Sequence, residues 1–292
     1  MSNQDTLVSI GLPVLDAGAR VADVARSVLA QDHENVELVI SDNGSTDDTE
    51  DVCRELAKSD SRIVYHRQPR NIGLLNNFKY VIEAASGTYF RWIGDDDDLH
   101  PAFASRCLEA FRTDPRVILV TTGISYTGPD GTAQTARYEG GALGSDDPVE
   151  RFTELMHLLN TSHLMIDPLY GMMRRDVVAA IPRRNMLHED EVFAAKLALA
   201  GPWGHVPEVL ARRVWKDDQV AALGRRLDVP MWQWRIRNAL QARETARWLG
   251  ETGLSDEQRR RARAAVYRMY VTRQWKVLQR RSRKLVRMAT SR

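Results

Sequence analysis

Acidic residues dominate the chemistry this chain can attempt. Residues 92–101 read WIGDDDDLHP, with four aspartates, Asp95 to Asp98, directly after an apolar run. Adjacent like charges repel, so a fold that keeps them together has a use for them or leaves them as a solvated loop. Clustered hard oxygens suit Mg²⁺ or Mn²⁺, which retain waters and bridge to substrate phosphates. A second acidic group, HEDE at 188–191, contains Asp190. It reads as favourable charge at a helix start. A third, DNGS at 42–45, offers Asp42, which equally reads as a turn former. Other chemistries find no support: there is no Walker sequence, no G-x-G-x-x-G, no G-x-S-x-G and no dense His/Cys cluster for structural zinc.

The elements that must position these groups alternate. Val8–Leu12, Val36–Ser41, Ile63–His66, Tyr89–Ile93 and Arg116–Thr122 read as strands. Residues 19–31, 47–58 and 74–85 have helical spacing. Ser45 or Thr46 stands as a cap for the second helix, and Pro101 opens a fourth. Strands and helices in this order imply βαβ units and a mostly parallel α/β sheet covered on both faces. In such sheets ligands collect beyond the carboxyl ends of the strands. There the loop at Pro13, Leu15 and Asp16, the turn at Asp42 and the aspartate run share one rim. After residue 125 the pattern loosens into a loop or hairpin over 128–147, helices near 148–159 and 189–200, and a strand at Val209–Trp215. The last third is helical. One apolar stripe runs through Trp232, Ile236, Ala239, Ala246 and Leu249, another through Tyr267, Val271, Trp275, Leu278 and Leu285.

Three stretches taken together resemble family 2 glycosyltransferases of the GT-A fold: VSIGLPVLDAGARVADVARSVLAQDHENVELVISDNGSTDDT, RNIGLLNNFKYVIEAASGTYFRWIGDDDDLHP and LHEDEVFAAKLALAG, over roughly residues 7–201. The resemblance implies a Rossmann-like α/β fold and a nucleotide-diphosphate sugar donor, UDP- or dTDP-linked. It places Pro13 and Asp16 at the nucleoside and Asp42 at the base, with Leu15 where relatives often carry a base-stacking aromatic. Asn71 and Gly73 match the turn that lets the nucleotide approach. Asp95 and Asp97 match a D-x-D motif in which Asp97 ligates Mn²⁺ or Mg²⁺; Asp96 lies between them beside the donor. Asp190 of Glu189-Asp190 matches the general base of an inverting transfer to a hydroxyl acceptor. Many relatives also carry a His after this helix, where ARRVWKDDQ offers Trp215 and Lys216. Either Asp97, water and the diphosphate hold the metal, or Lys216 or a nearby Arg takes part of its charge role. The acceptor is expected over residues 125–190, lined by Met165–Met173, with Tyr170, His188 and Glu189 as contacts. The rival readings are a nucleotidyltransferase acting on sugar phosphates and a non-catalytic scaffold.

With 292 residues and 43% hydrophobic content, the chain can bury a sizeable core. We expect a catalytic domain over 1–218, its nucleotide-sugar half about 1–125 and its acceptor half about 126–218, then a basic helical extension over 219–292. Residues 256–292 hold 13 Lys/Arg against two Asp/Glu, a net +11; with +2 overall, the remainder carries −9. The tail reads as packing on the domain or on a twin subunit in a homodimer, with a peripheral membrane contact as the alternative. Sparse aromatics and the lack of a reading motif exclude nucleic acid. Two cysteines, a polar start and no apolar run of spanning length point to a cytoplasmic protein, peripheral at most at the inner membrane face.

Overall fold

Hydrophobic alternation along Val8–Val14 (β1) sends Val8, Ile10, Leu12 and Val14 to one face of a sheet, where they meet Val21, Val24, Ala25 and Val28 of the helix Arg20–Leu29 (α1). The computed structural model describes residues 6–161, 166–214 and 220–290. Chain order continues with Val36–Asp42 (β2), Thr49–Ser59 (α2), Ile63–Arg67 (β3), Leu74–Ala84 (α3), Tyr89–Trp92 (β4), Asp98–Leu99 (β5), Phe103–Thr113 (α4), Leu119–Thr127 (β6) and Ala133–Gln134 (β7). Then come Pro148–Thr161 (α5), Met172–Arg174 (β8), Arg175–Ala179 (α6), Glu189–Ala200 (α7), Trp203–Val214 (β9), Val220–Arg226 (α8), Trp232–Leu249 (α9) and Asp256–Thr290 (α10).

The sheet runs β3-β2-β1-β4-β8-β6-β9-β5, with β7 paired to β6. β3, β2, β1 and β4 are parallel, as the βαβ pattern requires. β8 is an addition: it pairs antiparallel with both β4 and β6 inside a stretch that sequence leaves irregular. Three residues, Met-Met-Arg, are too few to show a period. One core lies between the sheet and α1, α2 and α4; the other lies between the sheet and α3, α5, α7 and α10. Among the described residues, no helix is long and apolar enough to cross a membrane.

Two local expectations shift. The helix α2 starts at Thr49, so neither Ser45 nor Thr46 caps it. Both instead bind the loop after β1: Ser45 Oγ accepts the Asp16 N–H at 2.9 Å, and the Thr46 N–H donates to Asp16 Oδ1 at 2.8 Å. These bonds hold Asp16 at φ 51°, a left-handed conformation uncommon outside glycine.

The C-terminal helices share the second core, but of the described stripe residues that sequence singles out only Leu249 lies in it. The helix α10 buries Ala262, Ala265, Val266 and Met269, while Tyr267, Val271, Trp275 and Leu278 are exposed. The helix α9 kinks at Ile236, exposes Trp232 and Ile236, and buries Gln241, Glu244, Thr245 and Leu249. Its buried Glu244 is stabilised by Arg184 at 2.9 Å and Arg247 at 2.6 Å.

Candidate active site

The carboxyl ends of β1, β2 and β4 open onto a cleft of about 820 Å³. Its walls include Pro13, Leu15, Asp16, Asn71, Asp95, Asp96, Tyr170 and Asp190, so the sequence-derived residues from both halves of the chain do meet. The nucleotide side is shaped by backbone geometry. Asn43 donates to Asn71 Oδ1 at 3.0 Å and accepts the Ile72 N–H at 2.8 Å. Asn71 also accepts the Gly73 N–H at 2.8 Å. Gly73 holds φ 87°, so a side chain there would be strained, although the space beside it is open. Buried Asn77 ties Ser41 to the same wall, accepting from the Ser41 hydroxyl at 2.7 Å.

Asp42 departs from its expected place. Its side chain is wholly buried and does not line the cleft. One oxygen accepts the Ser45 N–H at 2.8 Å; the other takes Arg67 at 2.6 Å and the Tyr65 hydroxyl at 3.0 Å. Burial opposes its charge, but these bonds more than offset that and hold its carboxyl below the usual range. Asp42 therefore builds the turn behind the cleft.

Asp97 also departs. Its side chain is 1% exposed. Gly94 N–H donates to Oδ2 at 2.9 Å and Arg213 Nε donates to Oδ1 at 3.0 Å. A cation already neutralises the carboxylate expected to ligate metal. The cause is register: β5 pairs Asp98 with Arg212, and β6 pairs Tyr126 with Arg213, which sets Arg213 against Asp97. Arg213 also donates to Asp167 at 2.5 Å and lies 3.5 Å from the Tyr170 ring centroid, a stacked guanidinium on the cleft wall. The carboxylates that do face the cleft are Asp95, paired with Arg20 at 2.6 Å, and Asp96. Among the described residues no group of three or more His, Cys, Asp or Glu forms a metal site. Mg²⁺ or Mn²⁺ bound with a diphosphate needs only one or two carboxylates; Asp95 and Asp96 line the cleft, while the Asp97 side chain lies buried behind its wall. Trp215, Lys216 and Met165 lie outside the described residues.

Asp190 stands in the first turn of α7 on the opposite wall. Cleft water reaches it, but the surrounding walls desolvate it enough, with the Glu191 charge adding to this, to push its carboxyl up to about 6. The other two expected acceptor contacts of HEDE face away. Glu189 forms a buried bidentate pair with Arg183, both bonds 2.6 Å. His188, at φ 62°, contacts Glu191 at 3.0 Å. Glu191 in turn accepts Arg273 of α10 at 2.5 Å and Gln241 of α9 at 2.8 Å. Burial raises Glu191, but His188 and Arg273 outweigh it and hold its carboxyl down at about 2. One arginine of the basic tail is thus committed behind Asp190 and is not solvated. Arg273→Ala is expected to lower stability by about 2–3 kcal/mol in urea unfolding, because it strands the Glu191 charge and the Leu159 carbonyl.

Beside Asp190 a smaller recess of about 170 Å³ opens between α5 and α7, walled by Leu155, Leu158, Ile166 and Leu169. Its lining overlaps the expected Met165–Met173 stretch over Ile166–Leu169. Met172 and Met173 are fully buried in β8 and do not contribute. Sequence reasoning reached Arg213 only as an unnamed arginine near Lys216 and assigned neither Arg20 nor Asp167 to the site.

The family description "Glycosyl transferase family 2" matches residues 9–181, more than half of the chain. A putative teichuronic acid biosynthesis glycosyltransferase of Bacillus subtilis, TuaG, is 32% identical over 132 residues, covering 45% of this chain and 52% of that one. The putative glycosyltransferase EpsH of Bacillus subtilis is 24% identical over 194 residues, 64% of this chain and 54% of that one. The chain thus spans about half the length of these curated relatives. Among solved structures, S. aureus TarS 1–349 in complex with UDP-GlcNAc superposes with a TM-score of 0.63 at 12% identity, covering 90% of this chain and 72% of that one. A mannosyltransferase from Pyrobaculum calidifontis in complex with GDP-Man and Mn²⁺ superposes at 0.55 with 13% identity, covering 90% and 73%. These likenesses show the GT-A fold expected from the motifs.

Proposed function

This chain belongs to glycosyl transferase family 2, and on that premise we propose that it transfers a sugar from a nucleotide-diphosphate sugar, UDP- or dTDP-linked, to a hydroxyl acceptor with inversion. The observation that carries the reading is the meeting of Asp95 and Asp96 from one end of the sheet with Asp190 from α7 in a single cleft. Pro13, Leu15, Asp16, Asn71 and Gly73 form the nucleoside side. Asp190 takes the proton of the acceptor hydroxyl as that oxygen attacks the anomeric carbon from the face opposite the leaving diphosphate. Holding donor and acceptor in line supplies much of the rate gain. Arg213, held by Asp97, Asp167 and Tyr170, stands on the wall that receives the diphosphate and offsets carboxylate charge that would otherwise repel it. Asp95 and Asp96 would hold Mn²⁺ or Mg²⁺, which when bound supplies further positive charge to the leaving group. The recess beside Asp190 takes the part of the acceptor next to the attacking hydroxyl, with Tyr170 on the wall of the main cleft.

UDP-GlcNAc bound to TarS supports the uridine donor, and Mn²⁺ with GDP-Man in the mannosyltransferase supports a nucleotide sugar with metal. A thermal-shift titration tests it. UDP or dTDP with Mn²⁺ is expected to raise Tm, since ligand at about 100 times Kd adds about 2.7 kcal/mol to apparent stability. Asp95→Ala should abolish the Mn²⁺-dependent part. No rise with any nucleotide or nucleotide sugar, with or without metal, rejects the reading.

A further inference from the structure

α10 carries two apolar faces, and the fold uses one. Ala262, Ala265, Val266 and Met269 are at most 4% exposed against the second core. Tyr267, Val271, Trp275 and Leu278 are 43% to 68% exposed. At 3.6 residues per turn the outer four fall within an arc of about 80°, centred about 180° from the buried four. The face turned fully away from the protein is therefore aromatic and aliphatic. Exposed Arg260 lies in line with it, and exposed Arg263 and Arg268 flank it. A contiguous outward stripe of this kind marks an interaction surface.

We propose that the outer face of α10 docks on an anionic lipid surface. Charge selects the occupant. Of the segment's net +11, Arg273 is committed inward and Arg259 and Arg261 pair with Asp256 and Asp147, while Arg260, Arg263 and Arg268 lie exposed on or beside the stripe. A two-fold contact between copies through this stripe would set the same arginine rows against each other, which like-charge repulsion disfavours. An anionic bilayer complements the same pattern. The apolar stripe enters the headgroup boundary in the membrane plane, Trp275 and Tyr267 settle at the interface, and each arginine near the surface adds about 1 kcal/mol of attraction. No crossing of the bilayer is involved. Because α10 also anchors Glu191 from its inner side through Arg273, docking leaves the catalytic face of the domain in place.

The test is sedimentation of the full chain with vesicles of phosphatidylglycerol and phosphatidylcholine in equal parts, against phosphatidylcholine alone. Binding is expected only to the anionic vesicles and should fall steeply as salt is raised. Replacing Trp275→Ser and Leu278→Ser together should weaken it at least about tenfold, each being a large apolar side chain withdrawn from the interface. Tm and donor binding should stay unchanged, because both side chains point away from the core. Failure to bind anionic vesicles overturns the proposal, as does binding that the double substitution leaves intact. A wild-type dimer in light scattering that the double substitution dissociates would assign the face to a second copy instead. None of these outcomes depends on the transferase reading.

Discussion

Asp190→Asn is expected to lower kcat by about 10²–10⁴-fold while leaving donor affinity within about twofold. The amide keeps the side chain's shape at the start of α7 but cannot accept the acceptor's proton. Loss of donor binding in step with turnover, measured by titrating UDP or a UDP-sugar, would make Asp190 a structural residue. The same carboxylate shapes the pH profile. Its pKa lies above the ordinary carboxylate range, at about 6, so the ionised base forms only as pH rises through that value. The acid limb of kcat/KM is therefore expected near pH 6 rather than near 4, and it should vanish in Asp190→Asn. Desolvation raises the Asp190 pKa most, the charges of Glu191 and Glu189 add to the rise, and His188 opposes it.

Arg213→Met is expected to cost about 3–5 kcal/mol of stability, a Tm drop of roughly 10 °C for a chain of this size. The change leaves Asp97, almost fully buried, and Asp167 without their shared cation. Breaking one side of a buried pair costs more than the pair itself contributes, so Asp97→Asn in the same chain should restore part of the loss. The pair also separates two views of the cleft. If Arg213 supplies charge to the diphosphate, the double variant recovers stability but still binds UDP weakly. If Asp97 were instead the metal ligand, Asp97→Asn alone would remove the Mn²⁺-dependent part of UDP binding while Asp95→Ala spared it. Arg213→Lys should not rescue binding, because an ammonium cannot reproduce two carboxylate contacts together with stacking on Tyr170.

Much of the frame was legible in one dimension. Strand and helix periods are local, and so are the turn residues at strand ends, so the alternation that implies a mostly parallel sheet and the loops at Asp16, Asp42 and Asp95 are read from short windows of residues, while the order β3-β2-β1-β4 is set by pairing between them. Asp190 was legible through the match of Glu189-Asp190 to the family motif, while HEDE alone reads only as a helix start; that its first turn faces the cleft is a tertiary fact. The short strand β8 was not, because three residues show no period and its place between β4 and β6 depends on pairing across more than 50 residues.

The carboxylate roles divide along the same line. Sequence by itself determined that acidic residues gather at one rim of an α/β sheet and that a basic helix ends the chain, because composition and spacing are properties of neighbours. Only the tertiary structure decided which acids meet the cleft. Asp42 is claimed by Arg67 and Tyr65, and Asp97 by an arginine 116 residues away, while Asp95 and Asp96 remain on the wall. It also decided which face of α10 packs. Both stripes satisfy helical spacing, but the small side chains of Ala262 and Ala265 let α10 approach α5 closely, and the bulky stripe is left facing outward. Strand register and helix approach are set by contacts between distant segments, and no local window of the chain contains them.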